Sequence, residues 1–209
     1  MMEPSSGHSE GMSNIFLHKE YELCFGQLRF YDERQTNLLK YLFTLTSTVS
    51  TAQFALYQIF NSPTHDFFLC LAFLSTVVVT GSLLIFLSML QNRLYFVYMA
   101  RQINAIRGHL LKHEAPMFKE NQLYTKTDFS AIKPFSVHTY KLVGAALITA
   151  LFAGSSSYAF FQLGGYCSPW FTVGILSLCV FLGLAICGYY YLKTQGANSA
   201  DQAVHHEKK

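Results

Sequence analysis

The residues of this chain best suited to chemistry are hydroxyls and amides, and they are concentrated in one place. Between Tyr41 and Phe60 an uncharged segment carries Thr44, Thr46, Ser47, Thr48, Ser50, Thr51, Gln53 and Gln58. On a helix, Thr44, Thr48, Thr51 and Gln58 share one face. If that helix lies in lipid, such a face must meet another helix or water, because hydrocarbon offers no hydrogen bonds. It is therefore a candidate lining for a pore, or polar glue between helices.

Other constellations are weaker. His109 and His113 stand four apart, a spacing that can seat two imidazoles on one metal, but no third ligand is evident and the HExxH order is missing. Solvated histidines are the simpler reading. Asp32 and Glu33 are adjacent, so on a helix they point apart and suit a wet face rather than an acid/base dyad. The five cysteines, Cys24, Cys70, Cys167, Cys179 and Cys187, form no paired spacing for a disulfide framework or zinc site. The chain has no Walker loop and no G-x-S-x-G elbow. No catalytic residue, metal ligand or cofactor is expected, and the chain is not read as an enzyme.

The elements that must carry these residues are helices in a bilayer. Only 13% of the 209 residues are charged, against about 25% in soluble domains. Four segments hold no Asp, Glu, His, Lys or Arg and suit transmembrane helices: about 41–60, 67–90, 142–163 and 170–192. At about 1.5 Å rise per residue each matches roughly 30 Å of hydrocarbon. The expected fold is all-α, a polytopic membrane protein of four transmembrane helices. Its first two helices extend as an antiparallel cytoplasmic stalk.

That stalk follows from two seams with 4-3 spacing. Leu17, Tyr21, Cys24, Leu28, Tyr31, Gln35, Leu38 and Leu42 precede the first span, and Phe96, Met99, Ile103, Ile106 and Leu110 follow the second. The turn Asn61 to Asp66 forces the two spans into a hairpin. The predicted organisation is a disordered tail over 1–14 and a helical hairpin over 15–113, with Asn14 capping the first helix. A cytoplasmic or interfacial segment follows over 114–140, then a membrane hairpin over 141–193 and a disordered tail over 194–209. In the third span Ala146, Ala150 and Gly154 recur every fourth residue, as do Cys179, Gly183 and Cys187 in the fourth. Small residues at that interval let helix backbones approach in lipid.

All fifteen Lys and Arg lie before the first span, between the second and third, or after the fourth. The positive-inside rule then puts both termini and the stalk in the cytoplasm, at the inner membrane if the cell is bacterial. No span holds an Asp, Glu, His, Lys or Arg, which argues against a proton relay or an ion-coupled carrier. A net charge of +3 with no basic block gives no reason to expect nucleic acid. The expected partners are the lipid bilayer, copies of the chain itself and a cytoplasmic protein. The leading functional expectation is a homo-oligomeric, pore-like or membrane-perturbing effector controlled through its stalk. The alternatives are a non-conducting anchor or sensor that docks a cytoplasmic protein, and a small transporter with an uncharged substrate path.

Overall fold

The computed structural model describes residues 7–110, 130–133, 135–166 and 170–196, with side chains from Ile15 onward and up to Gly108 in the second helix. The described residues form four helices: α1 (Gly7–Phe60), α2 (His65–Leu110), α3 (Val137–Leu163) and α4 (Trp170–Gln195). No strand occurs among the described residues. Three of the helices, α2, α3 and α4, are long and apolar enough to cross a membrane. α1 does not reach that level of apolarity, because its Tyr41 to Phe60 stretch carries so many Ser, Thr and Gln side chains.

α1 begins at Gly7, ahead of the Ile15 start predicted from the Asn14 cap. No proline occurs from Ser5 to Ser62, so nothing forces a break, and the helix runs 54 residues, about 80 Å. It ends where Asn61 adopts a left-handed backbone with φ 48° and Pro63 follows. Thr64 then caps α2 by accepting a hydrogen bond from the Phe67 amide at 3.3 Å, and Asp66 sits favourably in the first turn.

α2 returns along α1 from the Phe60 end as far as Leu17. The two helices meet at Tyr57 and Phe67, at Gln53 and Ser75, at Tyr31 and Asn92, and at Glu20 and Gln102. These pairings keep one antiparallel register from end to end. α3, capped by Ser136 Oγ on the Thr139 amide, runs antiparallel to α2. Its contacts progress from Phe96 beside His138 to Phe68 beside Tyr158. α4 returns against α3 and touches α2 near its own end. Along most of its length it is the least covered helix, with only Gly188 and Leu192 buried.

The core has two parts. A cluster around Leu42, Met89, Leu90, Leu94, Val97, Ala145, Ala146 and Leu192 joins all four helices. A second cluster, Cys24, Ile103 and Ile106, closes the far end of the α1–α2 pair, with Leu17, Tyr21, Leu28 and Met99 packed round it.

Candidate functional site

The hydroxyl face of α1 lies on the outside of the four-helix bundle. Thr44, Thr48, Thr51 and Gln58 are all exposed. Thr44 Oγ1 donates to the Lys40 carbonyl at 3.0 Å and Thr51 Oγ1 to the Ser47 carbonyl at 2.9 Å, so these hydroxyls satisfy their donors within their own helix. Thr44 also borders an open groove of about 530 Å³ between α1 and α3, where Ser47 and Ser50 face Leu151 and Phe152.

The polar groups that hold helices together are others. Gln53 Nε2 donates to Ser75 Oγ at 2.9 Å, and Ser75 Oγ lies 3.1 Å from Ser155 Oγ, linking α1, α2 and α3. One residue along, Thr76 Oγ1 and Ser156 Oγ are 2.9 Å apart. Ser75 is fully buried, so each of these bonds replaces one that hydrocarbon cannot supply. In the sequence this relay shows only as Gln53 in the polar stretch of α1 and as the run Ser155-Ser156-Ser157 in an otherwise apolar segment. Nothing local tells which of the three turns inward.

Among the residues expected to pack helices in the membrane, Ala146 and Ala150 are buried, and Gly154 sits where a Cβ would overlap Ser177 Oγ of α4. Gly183 stands in open space, with nothing within 4 Å of where its Cβ would be, and Cys179 and Cys187 are exposed. The close approach of α4 to α2 falls instead at Gly188, where a Cβ would lie 3.2 Å from Phe86 Cζ and 3.4 Å from Leu90.

The seam residues Leu17, Tyr21, Leu28, Met99, Ile103 and Ile106 converge on the second cluster. Tyr31 stacks on Tyr95 at 5.7 Å between ring centroids, whereas Phe96 turns away from α1 to meet the His138 ring of α3 at 5.1 Å. Arg107 Nη2 donates to Tyr21 Oη at 2.8 Å and its guanidinium lies over the Tyr21 and Phe25 rings. Burial and the neighbouring Glu20 carboxylate push the Cys24 thiol up to about 11, so it stays protonated and acts as a small apolar group.

At the junction of the two core clusters lies a set of buried polar residues, of which only Gln35 belongs to a predicted seam. Asn92 Nδ2 donates to the Tyr31 carbonyl at 2.7 Å and to Gln35 Oε1 at 2.9 Å, leaving Gln35 Nε2 and Asn92 Oδ1 buried without a partner. Beside it Arg93 is 3% exposed, and its Nε donates to the Ala131 carbonyl at 3.1 Å. Its guanidinium lies 5.2 Å from the Phe96 ring centroid. Burial lowers the Arg93 pKa to about 10, which leaves it charged at neutral pH. The same burial, reinforced by Arg93, lowers His138 to about 4, so the imidazole is neutral, and its Nδ1 is buried without a partner.

The α4 end is tied to α2 just beyond, where Tyr98 Oη donates to the Gln195 carbonyl at 2.8 Å and Arg101 Nη2 to the Gly196 carbonyl at 2.6 Å. These side chains satisfy carbonyls that a helix end leaves open. Among the described residues no group of three metal-ligating side chains occurs. His113, the second member of the histidine pair, lies outside the described residues, as do Cys167 and most of the 114–140 segment. Comparison with known protein families, with curated proteins and with solved structures finds no match to this chain.

Proposed function

We propose that this chain is an integral membrane protein of four spans that assembles with copies of itself through the outer face of α1. The assembly forms a pore-like or membrane-perturbing body controlled through the water-side halves of α1 and α2. Support for α1 as the fourth span comes from its register. The uncharged 41–60 stretch lies beside the apolar part of α2 and is joined to it by a four-residue turn, so if α2 crosses the bilayer, α1 shares its depth. The distribution of the fifteen cations supports both termini being cytoplasmic.

The observation that carries the assembly reading is one uncovered stripe along α1. Phe16, Leu23 and Phe30 are spaced by seven and exposed, Phe16 to 65%. The same face continues through Tyr41 and Thr48 to Ile59. A repeat of seven is the geometry by which one helix seats another of the same sequence. Large apolar rings left in water are a standing cost that a second copy would remove.

A second reading, a non-conducting anchor or sensor that docks a cytoplasmic protein, is favoured by the self-satisfied hydroxyls of Thr44 and Thr51, which can face lipid without an unmet donor. The mass of the detergent-solubilised particle together with planar-bilayer conductance separates the two. Assembly predicts a multimer that Leu23→Glu reduces to single chains. A pore further predicts conductance that Thr48→Leu and Thr51→Leu abolish while the multimer persists. A silent multimer supports the anchor, and a wild-type protein that is monomeric removes the assembly reading altogether.

A further inference from the structure

Between α2, α3 and α4, under the segment that carries Ala131, lies a half-open cavity of about 170 Å³. Its walls include Leu90, Leu142, Leu184 and Leu192, and Arg93 and His138 stand at its polar edge. The volume is comparable to the roughly 150 Å³ cavity that takes up benzene in an engineered protein. It has room for a few oxygen atoms and the first carbons of a chain.

The polar edge is incomplete. A guanidinium presents five N–H donors, and among the described residues Arg93 uses one, on the Ala131 carbonyl. No carboxylate lies within ion-pair distance of it among those residues. A buried cation without an anion carries a desolvation cost that its surroundings must offset. His138 Nδ1 adds a second buried polar atom with nothing to bond. Both deficits are met by one chemical group, an oxyanion, for which the planar fork of an arginine is the best-matched side chain. Arg93 follows the uncharged run of α2 by three residues, which sets it near the depth of lipid phosphates if that run spans the hydrocarbon.

We propose that this cavity binds an anionic phospholipid, its phosphate on Arg93 and His138 and the start of an acyl chain along the leucine wall. The phosphate oxygens accept from the N–H groups that Arg93 does not spend on the Ala131 carbonyl and from Nδ1–H of His138. The apolar wall selects a lipid over a free anion. The site is independent of the α1 face that carries the assembly reading.

The full-length protein, purified in detergent, is mixed with equal amounts of phosphatidylglycerol and phosphatidylcholine and examined by native mass spectrometry. Phosphatidylglycerol is expected to be retained at least about tenfold better, because both lipids carry the phosphate but the choline of phosphatidylcholine would bring a second cation beside the buried Arg93. Arg93→Gln is expected to bring its retention down to that of phosphatidylcholine. Because a change at a buried arginine can itself unfold the bundle, Ala185→Phe provides a second route. Ala185 lines the cavity from α4 and is only half-buried, so the larger ring blocks the space while leaving Arg93 in place. Loss of selective retention in a folded Ala185→Phe protein, checked by circular dichroism, supports the site. Undiminished retention in either folded variant overturns it. Inorganic phosphate is the remaining arm: if millimolar phosphate displaces the lipid, the occupant is a soluble anion and the lipid assignment fails.

Discussion

α1 and α2 run side by side for more than forty residues, yet the two halves of that contact are built differently. At the Ile15 end the helices close over Cys24, Ile103 and Ile106, and the polar bonds across them, Gln102 to Glu20 and Arg107 to Tyr21, lie toward the rim. At the Phe60 end the helices are joined through their middles by a hydroxyl and amide relay, Gln53 to Ser75 to Ser155. The same antiparallel register serves both. On the proposed placement, with the Ile15 end in water and the Phe60 end in lipid, the difference lies in what each solvent rewards. Water drives apolar side chains together and competes for every hydrogen bond, so a water-side seam is apolar inside and polar outside. Hydrocarbon gives apolar contact no comparable drive and competes for no hydrogen bond, so small polar groups move to the inside.

The harshest way to break this comparison is a charge at the centre of the apolar seam. Ile103→Asp places an unpaired carboxylate in the second cluster and is expected to cost about 4 kcal/mol. Limited proteolysis in detergent should then cut within 15–39 and 91–110 while the 41–90 hairpin stays protected. Equal loss of protection in both halves would mean they fold as one unit and the contrast is mistaken.

A smaller effect is expected at the boundary. Asn92→Leu strips Gln35 Oε1 and the Tyr31 carbonyl of their donor and should lower stability by about 1–3 kcal/mol. Adding Gln35→Leu removes most of the orphaned polar atoms and should recover much of that loss in thermal unfolding. A double variant worse than the single one shows that the amide pair sets the register of the two helices.

The next effect is pH-dependent and sits on the far side of the same boundary. His138 has a folded-state pKa near 4, against an ordinary 6.5, through burial first, then Arg93 and Lys141, with Asp32 acting in the opposite direction. The unfolded chain therefore binds more protons between those values. Stability should be full above about pH 6.5 and fall as the pH is lowered toward 4. The loss is about 1–2 kcal/mol once solvent screening of a half-buried ring is allowed for. His138→Gln should flatten the unfolding midpoint across that window, and an unchanged slope in the variant would assign the dependence to other groups.

The smallest effect tests the lipid half. A double-mutant cycle on Gln53→Leu and Ser75→Ala should return a coupling of about 0.6 kcal/mol, the usual scale for a hydrogen bond between membrane helices. A coupling near zero would reduce the relay to a geometric coincidence.

Much of the fold could be read without coordinates. Uninterrupted apolar runs announced α2, α3 and α4, because a helix in lipid needs only length and the absence of charge. The seam residues Cys24, Ile103 and Ile106 were legible from their 3-4 spacing, because water enforces that periodicity. α1 was harder, since its Thr and Ser content lowers its apolarity below that of the other three helices. The start of α1 at Gly7 is not legible in the sequence, because a cap residue at Asn14 permits a helix to begin there without requiring it.

The hydroxyl face Thr44, Thr48, Thr51 and Gln58 could be picked out from one helix alone, as a matter of angle. Which side of α1 faces its neighbours could not, and it is Gln53, not that face, that reaches across to α2. Of the buried polar group, Gln35 is legible as a member of the first seam, but Asn92, Arg93 and His138 are not, because Arg93 reads as the first cation after a span and His138 as a loop residue. Local chemistry, through solvent preference and helical period, determined that the chain makes long helices and where their apolar runs lie. Only the packing of α3 and the Ala131 segment over α2 decided that a charged arginine is buried there. Burial is a property of neighbours distant in sequence, and no periodicity within a single helix records it.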